Sequence, residues 1–305
     1  MKTQRRQFAA SILALVFGIG CAQSAFPQSF KKVSVKGGAK MTQVASGGAG
    51  VWALATNGNP YVYKTNKFLL ASTISLTQIA VGGGNLRQPD TVWALDSAGN
   101  VYNASISGTT WVFNQAPGVL SQIAVGIGYE DSCHPYEVWG LNPSALIYRF
   151  NYCLGNWEFI PGTLQTISVG AGDVYGINGN HQIFHFKFQN LSFEQIASKY
   201  DQHDQISVGP NGVWALQNGS NPMELEFPNT TVFADLSQVL GFSLVQGGGD
   251  GVWALDSSGR IYLFRRAEWH LVQIPGLVFR TLSVGSGAGV WGIDFNGQVY
   301  AFSTR

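Results

Sequence analysis

The chain has 305 residues, with 18 Lys and Arg against 17 Asp and Glu, 38 glycines, 9 Trp, 11 Tyr and 19 Phe, and charged residues at only 11%. So much aromatic surface at so little charge excludes an intrinsically disordered chain, which cannot bury enough apolar area to offset the entropy of ordering. A net charge of +1, with no basic run beyond pairs such as Arg5-Arg6 and Arg265-Arg266, leaves no footprint for a phosphate backbone, so no nucleic-acid partner is expected.

The first 25 residues read as a signal peptide. Lys2, Arg5 and Arg6 make a basic start, Phe8 to Ile19 is apolar, and Gly20, Cys21, Ala22, Ser24 and Ala25 supply small residues. The apolar stretch is too short to span a bilayer as a helix, so no membrane span is expected. Arg5-Arg6-Gln7-Phe8 resembles the bacterial twin-arginine signature, with general export the alternative. Cys21 raises a lipoprotein alternative, although Gly18-Ile19-Gly20 lacks the leucine expected before a lipidated cysteine. The mature protein is expected to be exported, secreted or periplasmic.

From residue 30 onward the chain repeats itself. A valine–aromatic pair recurs at Val51-Trp52, Val92-Trp93, Val138-Trp139, Val174-Tyr175, Val213-Trp214, Val252-Trp253 and Val290-Trp291. The aromatics are spaced by 36 to 46 residues, the length of one four-stranded propeller blade. Upstream of each pair runs an alternating strand ending in glycine, as in Gln78-Ile79-Ala80-Val81-Gly82 and Gln122-Ile123-Ala124-Val125-Gly126. Downstream, an Asp or Asn turn leads to a strand ending in an aromatic, as from Asp96 to Tyr102, Asp256 to Tyr262 and Asp294 to Tyr300. A fourth strand opens on Trp111, Trp157, Phe193 or Trp269. Period-two alternation with turns every 8 to 12 residues predicts antiparallel meanders. We name the four strands a to d in order.

The ends of the chain predict how the ring closes. Phe30-Lys31-Lys32-Val33 reads as a d strand without a preceding repeat, and the last repeat stops after its c strand at Tyr300-Ala301-Phe302-Ser303. The expected fold is therefore all-β, a seven-bladed propeller of four-stranded antiparallel blades, one domain over residues 30–305, closed by pairing of the two terminal strands. Closure of this kind hides sheet edges.

In an exported chain, Cys133 and Cys153 read as a disulfide. Val138-Trp139-Gly140-Leu141 and Leu146-Ile147-Tyr148 look like a hairpin, and extending it brings the two cysteines near cross-strand register. Two cysteines without a spaced His pair make no tetrahedral metal set, so no metal or cofactor is expected.

Ile-x-Val-Gly, Gly-Val-Trp-Ala/Gly-Leu/Ile-Asp/Asn, Gly-x-Val/Ile-Tyr, and Trp with a downstream Pro-Gly (Trp111 to Pro117-Gly118, Trp157 to Pro161-Gly162, Trp269 to Pro275-Gly276) together resemble the tectonin repeat. The resemblance covers residues 30–305 and departs most in the fourth and fifth copies, where Tyr175 replaces Trp and Asn221-Pro222-Met223-Glu224-Leu225 lacks the terminal aromatic. Tectonin-like and fish-egg-lectin-like proteins are propellers that recognise carbohydrate, some of it bacterial or O-methylated. That resemblance implies a lectin with glycan partners.

Three sets of residues are candidate contacts. Trp52, Trp93, Trp139, Trp214, Trp253 and Trp291, with Tyr175 in the same place, could stack on sugar C–H faces or be core between blades, or both if an edge lines a groove. Asp96, Asp256 and Asp294, with Asn142 and Asn178, could meet sugar hydroxyls or simply close turns. The long a–b connections of repeats two and three carry Arg87, Asp90, Tyr129 and Tyr136, together with Asn85, Glu130, Asp131, His134 and Glu137; they are either a functional rim or tolerated variation. The five histidines are scattered and no hydrolase signature appears, so no enzyme is expected. A protein-docking scaffold using the rim of repeats two and three is the alternative, and a hydrolase with an unrecognised site comes third.

Overall fold

The computed structural model describes residues 28–82, 91–196, 202–219, 221–225, 233–235, 241–265, 267–272, 274–285 and 287–304. Among these, strand pairing makes five four-stranded sheets and one eight-stranded sheet, the latter being two four-stranded groups joined side by side. The described residues thus group into seven antiparallel units: 41–70, 78–119, 122–163, 166–195, 203–235, 242–271, and 279–304 completed by 28–35. The innermost strand of each unit contacts that of the next, and the seventh returns to the first. The fold is a β-propeller.

The expected clasp forms. Gln28–Val35 pairs antiparallel with Val299–Thr304 from Gln28↔Thr304 to Val33↔Val299, as the d strand of unit seven. Its last two residues then pair parallel with Lys67–Leu70 of unit one, which joins the two units.

Sequence dictates which strand is buried on both faces. The b strands, such as Val92–Leu95 and Gly251–Asp256, are apolar almost without alternation and are buried almost throughout, because each lies in a sheet covered by a neighbouring sheet on either side. The core accordingly lies between units: Trp52 and Leu54 of unit one pack with Ile79, Val92 and Ala94 of unit two, and Trp291 and Ile293 of unit seven pack with Val44 and Ala53 of unit one. The a–b turn needs a left-handed residue where it is tightest. Gly212 and Gly251, at φ 108° and 107°, supply it immediately before the valine of the b strand.

A second device links the units through main chain. Gln78 Nε2 donates to the Ile123 carbonyl at 3.1 Å, and its Oε1 accepts from the Ile123 amide at 3.0 Å. Gln43 grips Ile79 in the same way, and Gln122 grips Ile167. Gln205 accepts from the Val245 amide at 2.8 Å. Each such side chain acts as a strand residue inserted between two innermost strands, whose unit-facing backbone groups would otherwise lack partners.

Candidate functional site

The repeated tryptophans seal the interfaces. Trp52, Trp93, Trp139, Trp214, Trp253 and Trp291 are all 4% exposed or less. Each meets rings of the next unit edge-on: Trp52 meets Trp111, Trp93 meets Phe150, Trp139 meets Phe186, Trp214 meets Phe264, Trp253 meets Phe302 and Trp291 meets Tyr63, at centroid separations of 4.6 to 4.7 Å. Such pairs add about 0.5–1.5 kcal/mol each beyond burial. The indole N–H is also engaged. In Trp52, Trp214, Trp253 and Trp291 it donates to the carbonyl three residues back, in the a–b turn, and in Trp139 it donates to Glu137. The ring faces therefore serve as core, and in Trp52, Trp214, Trp253 and Trp291 the N–H edge lies beside the a–b turn.

The acidic turn residues close the b–c turns. Asp96 Oδ1 accepts from the Ala98 and Asn100 amides, and its Oδ2 accepts from the Asn100 side chain and the Tyr102 hydroxyl. Asp256 repeats this with Ser258, Arg260 and Tyr262, and Asp294 with Asn296, Gln298 and Tyr300. Asn142 and Asn178 hold their turns through the same backbone bonds. Desolvation raises the Asp96 and Asp256 carboxyls, but these donors outweigh it and hold both below the ordinary value. Tyr102, Tyr262 and Tyr300 are pushed up by burial and then by the neighbouring carboxylate.

In a meander, successive connections alternate between the two ends of the strands. The b–c turns holding Asp96, Asp256 and Asp294 therefore lie at one end of the ring, and the a–b and c–d connections at the other. The candidate residues of the sequence fall on opposite faces and do not form one constellation.

At the second end, unit three rises above the ring. Its a–b connection is a hairpin, Gln122–Asp131 with His134–Leu141, where the sequence suggested a loop. The tip is bonded by the Cys133–Cys153 disulfide, with Cα atoms 4.9 Å apart, and the Tyr152 amide donates to the Cys133 carbonyl. Buried His134 bridges two carboxylates, Asp131 at 2.9 Å from Nδ1 and Glu158 at 3.2 Å from Nε2. Burial raises the Asp131 carboxyl, but donation from His134 and from the Cys133 and His134 amides leaves it low. Beneath, buried Glu137 takes a two-point contact from Arg149, at 2.9 Å from Nε and 2.6 Å from the terminal nitrogen, and a third donor from Trp139. Tyr136 packs edge-on against Tyr152. Arg87, Asp90 and Asn85 lie outside the described residues, as do residues 1–25 with Cys21, and nothing is described of the Tyr129 and Glu130 side chains.

Sequence reasoning passed over two features. One is the glutamine grip, whose signal was the recurring Gln in Gln-Ile-x-Val-Gly. The other is a charged pair at equivalent positions in units three and four: the residue before the b-strand valine (Glu137, Asp173) and the c-strand residue opposite the aromatic (Arg149, His185). Units one, five, six and seven have glycine at the first position: Gly50, Gly212, Gly251 and Gly289. Among the described residues, no group of three or more His, Cys, Asp or Glu is placed to hold a metal ion, and no helix is long and apolar enough to cross a membrane.

A sequence-family model described as Tectonin domain matches residues 7–200. Tectonin-1 of Physarum polycephalum is 36% identical over 74 residues, a stretch that covers 24% of this chain and 30% of that relative. Among solved structures, YCF48 bound to D1 peptide aligns over 92% of this chain and 97% of its own, at 11% identity with a TM-score of 0.65. YCF48 from Cyanidioschyzon merolae aligns over 90% and 98%, at 12% identity and 0.62. The Pan2 WD40 domain of Neurospora crassa aligns over 88% and 90%, at 9% and 0.61. At these identities the likeness shows a common propeller fold.

Proposed function

The chain belongs to the tectonin family, and from that premise we propose that it is an exported lectin, recognising surface glycans through several weak sites on one rigid ring. The observation that carries this reading is the family match, over a ring whose units repeat the same pattern. Repetition is the physical asset. Sites of about millimolar affinity, held at fixed spacing, gain roughly a hundredfold or more in avidity on a densely glycosylated surface. Bacterial and O-methylated sugars are the first glycans to test, and the sugar-facing residues would be the indole edges and the polar side chains around them. Export is supported by the layout of residues 1–25 and by the disulfide, since such bonds persist in oxidising compartments. The test is a glycan array that includes methylated sugars, followed by inhibition of binding to whole bacteria with the soluble sugar. Retention of no glycan by well-folded protein would sink the reading.

A second reading is favoured by the disulfide-pinned hairpin of unit three, which gives the ring a protruding rim, and by the solved complex of YCF48 with a D1 peptide. It makes the chain a docking scaffold for polypeptide. Binding to a cell surface that survives soluble sugar but is lost when the hairpin is shortened would favour it.

A further inference from the structure

The interface between units four and five lacks both devices that seal others. Thr166 stands where the gripping glutamine stands in units one, two, three and five, and Gln165, one residue earlier, is exposed. Between the two innermost strands the Val208 amide donates to Ser168 Oγ at 3.1 Å. Tyr175 replaces tryptophan, and it lies flat on His185 of its own unit, with centroids 4.1 Å apart and planes 3° apart, where six tryptophans reach edge-on to the next unit. Leu225 of unit five holds the position that Phe264 holds in unit six. A cavity of about 380 Å³ opens here, walled by Gly170, Ala171, Asp173, Pro210, Asn211 and Gly212. Its floor is closed by an approach so tight that a Cβ on Gly170 would collide with the Val208 carbonyl.

One carboxylate faces this space, and it is held in orientation. Lys187 Nζ lies 2.8 Å from His185 Nδ1, and His185 Nε2 lies 2.9 Å from Asp173 Oδ1. An ammonium can only donate, so Nδ1 accepts, Nε2 carries the ring proton, and that proton goes to Asp173. Asp173 lines the cavity, and its side chain is 41% exposed. The homologous pair in unit three is closed: Glu137, one methylene longer, turns back under Trp139 and is fully buried. Asn211 stands across the cavity with its Nδ2 anchored on the Gly248 carbonyl, and the Pro210 ring offers an apolar wall.

The geometry points to a dedicated site for a neutral hexopyranose in this gap, with Asp173 accepting sugar hydroxyls and His185, backed by Lys187, acting as a positioning residue. The inference rests on the lectin reading and adds to it one site specific to this interface. The volume falls within the range of small-ligand pockets, about 300–1,000 Å³. A carboxylate that accepts from hydroxyls suits a neutral sugar and disfavours an anionic one, because the carboxylate would face a second negative charge.

The probes are methyl α-D-mannopyranoside, methyl α-D-glucopyranoside and methyl β-D-galactopyranoside, with N-acetylneuraminic acid as the anionic comparison. Saturation-transfer NMR and titration would be run on the full chain. At least one neutral glycoside should bind, Asp173→Asn should weaken it tenfold or more, and Glu268→Gln, on an exposed residue of unit six, should leave it unchanged. His185→Phe, which keeps the stack on Tyr175 but loses the donor, should weaken binding severalfold, and His185→Gln, which can still donate, should restore it. Melting temperatures check that each variant is folded. Binding by the wild type that Asp173→Asn leaves intact, or binding of N-acetylneuraminic acid in preference, would overturn the site while the lectin reading stands. Silence of the panel beside a positive glycan array would do the same. Silence of both would remove the lectin reading and this inference together.

Discussion

The glutamine grip makes a prediction that sequence alone cannot make. Gln78→Ala removes two hydrogen bonds to one residue of the next unit, at 3.1 and 3.0 Å, and leaves the amide and carbonyl of Ile123 facing the gap. Ile123 is buried, whereas Gln78 is half-buried, so water reaches part of the vacated space. Unsatisfied groups cost about 1–3 kcal/mol each when dry, and partial hydration brings the expected total to roughly 1–3 kcal/mol. A folded unit of this size has an unfolding entropy near 2.1 cal/mol/K per residue, so each kcal/mol moves the midpoint by about 2 °C, and the expected loss is roughly 2–6 °C. Gln165→Ala is the control. In the sequence Gln165 opens the corresponding run of unit four, yet in the structure it is one residue out of register and exposed, so its loss should stay within about 0.5 kcal/mol. Differential scanning calorimetry on both variants reads the difference. Equal midpoints for Gln78→Ala and Gln165→Ala would refute the grip as a source of stability.

Three further expectations are open to direct measurement. Replacing Cys133 and Cys153 together by alanine opens a link across 20 residues, which in the chain-entropy account costs about 3 kcal/mol; reduction of the wild type should lower the thermal midpoint comparably and leave the double variant unmoved. Arg149→Met leaves the Glu137 carboxylate buried without its cation and should destabilise by about 3–5 kcal/mol in chemical denaturation, with much of the loss recovered when Glu137→Gln is added. Asp96 and Asp256 are held below their ordinary range in the folded chain; their contribution is therefore full above the unfolded value of about 3.9 and is lost as pH falls through the lower folded values. Asp256→Asn should accordingly flatten the fall of the thermal midpoint in acid, and an unchanged slope would count against that role.

Much of this architecture was legible because repetition multiplies weak signals. One Val-Trp-Ala-Leu run is ambiguous, but seven in register fix the strand order, and the lone d strand at Phe30 fixes how the ring closes. The disulfide was readable for the same local reason: the hairpin of Val138–Leu141 with Leu146–Tyr148 extends outward until Cys133 and Cys153 meet. What the sequence left open was the destination of each polar side chain. Asp96 and Asp173 both flank a b strand, yet Asp96 is used up by its own turn and Asp173 is not. That difference depends on which end of the strand the residue occupies, because the b–c turn folds back on the aspartate whereas the a–b turn opens toward the next unit. The grip by Gln78 was likewise hidden, since its partner, Ile123, lies 45 residues away.

Where a ligand can enter a propeller follows from what seals it. Between units two and three, Trp93 with Phe150 and Gln78 with Ile123 fill the interface from the middle strands to the innermost. At the level of these rings the residues that define the unit occupy the gap, which leaves the rim beside the a–b turns as the place where a ligand can reach an interface. Between units four and five the pattern lapses in both devices at once, with Tyr175 for tryptophan and Thr166 for glutamine. A single lapse would read as a packing defect, to be filled by neighbouring side chains, since interiors tolerate few voids. Here Tyr175 still packs with Ile206, Val208, Val213 and Ala215 of unit five, and a cavity opens beside the a–b turns, its wall carrying a carboxylate held by a histidine that is itself held by a lysine. Two hydrogen bonds in series that end on a half-exposed carboxylate do little to stabilise it; they do fix how that carboxylate is turned, which is the property a binding site requires.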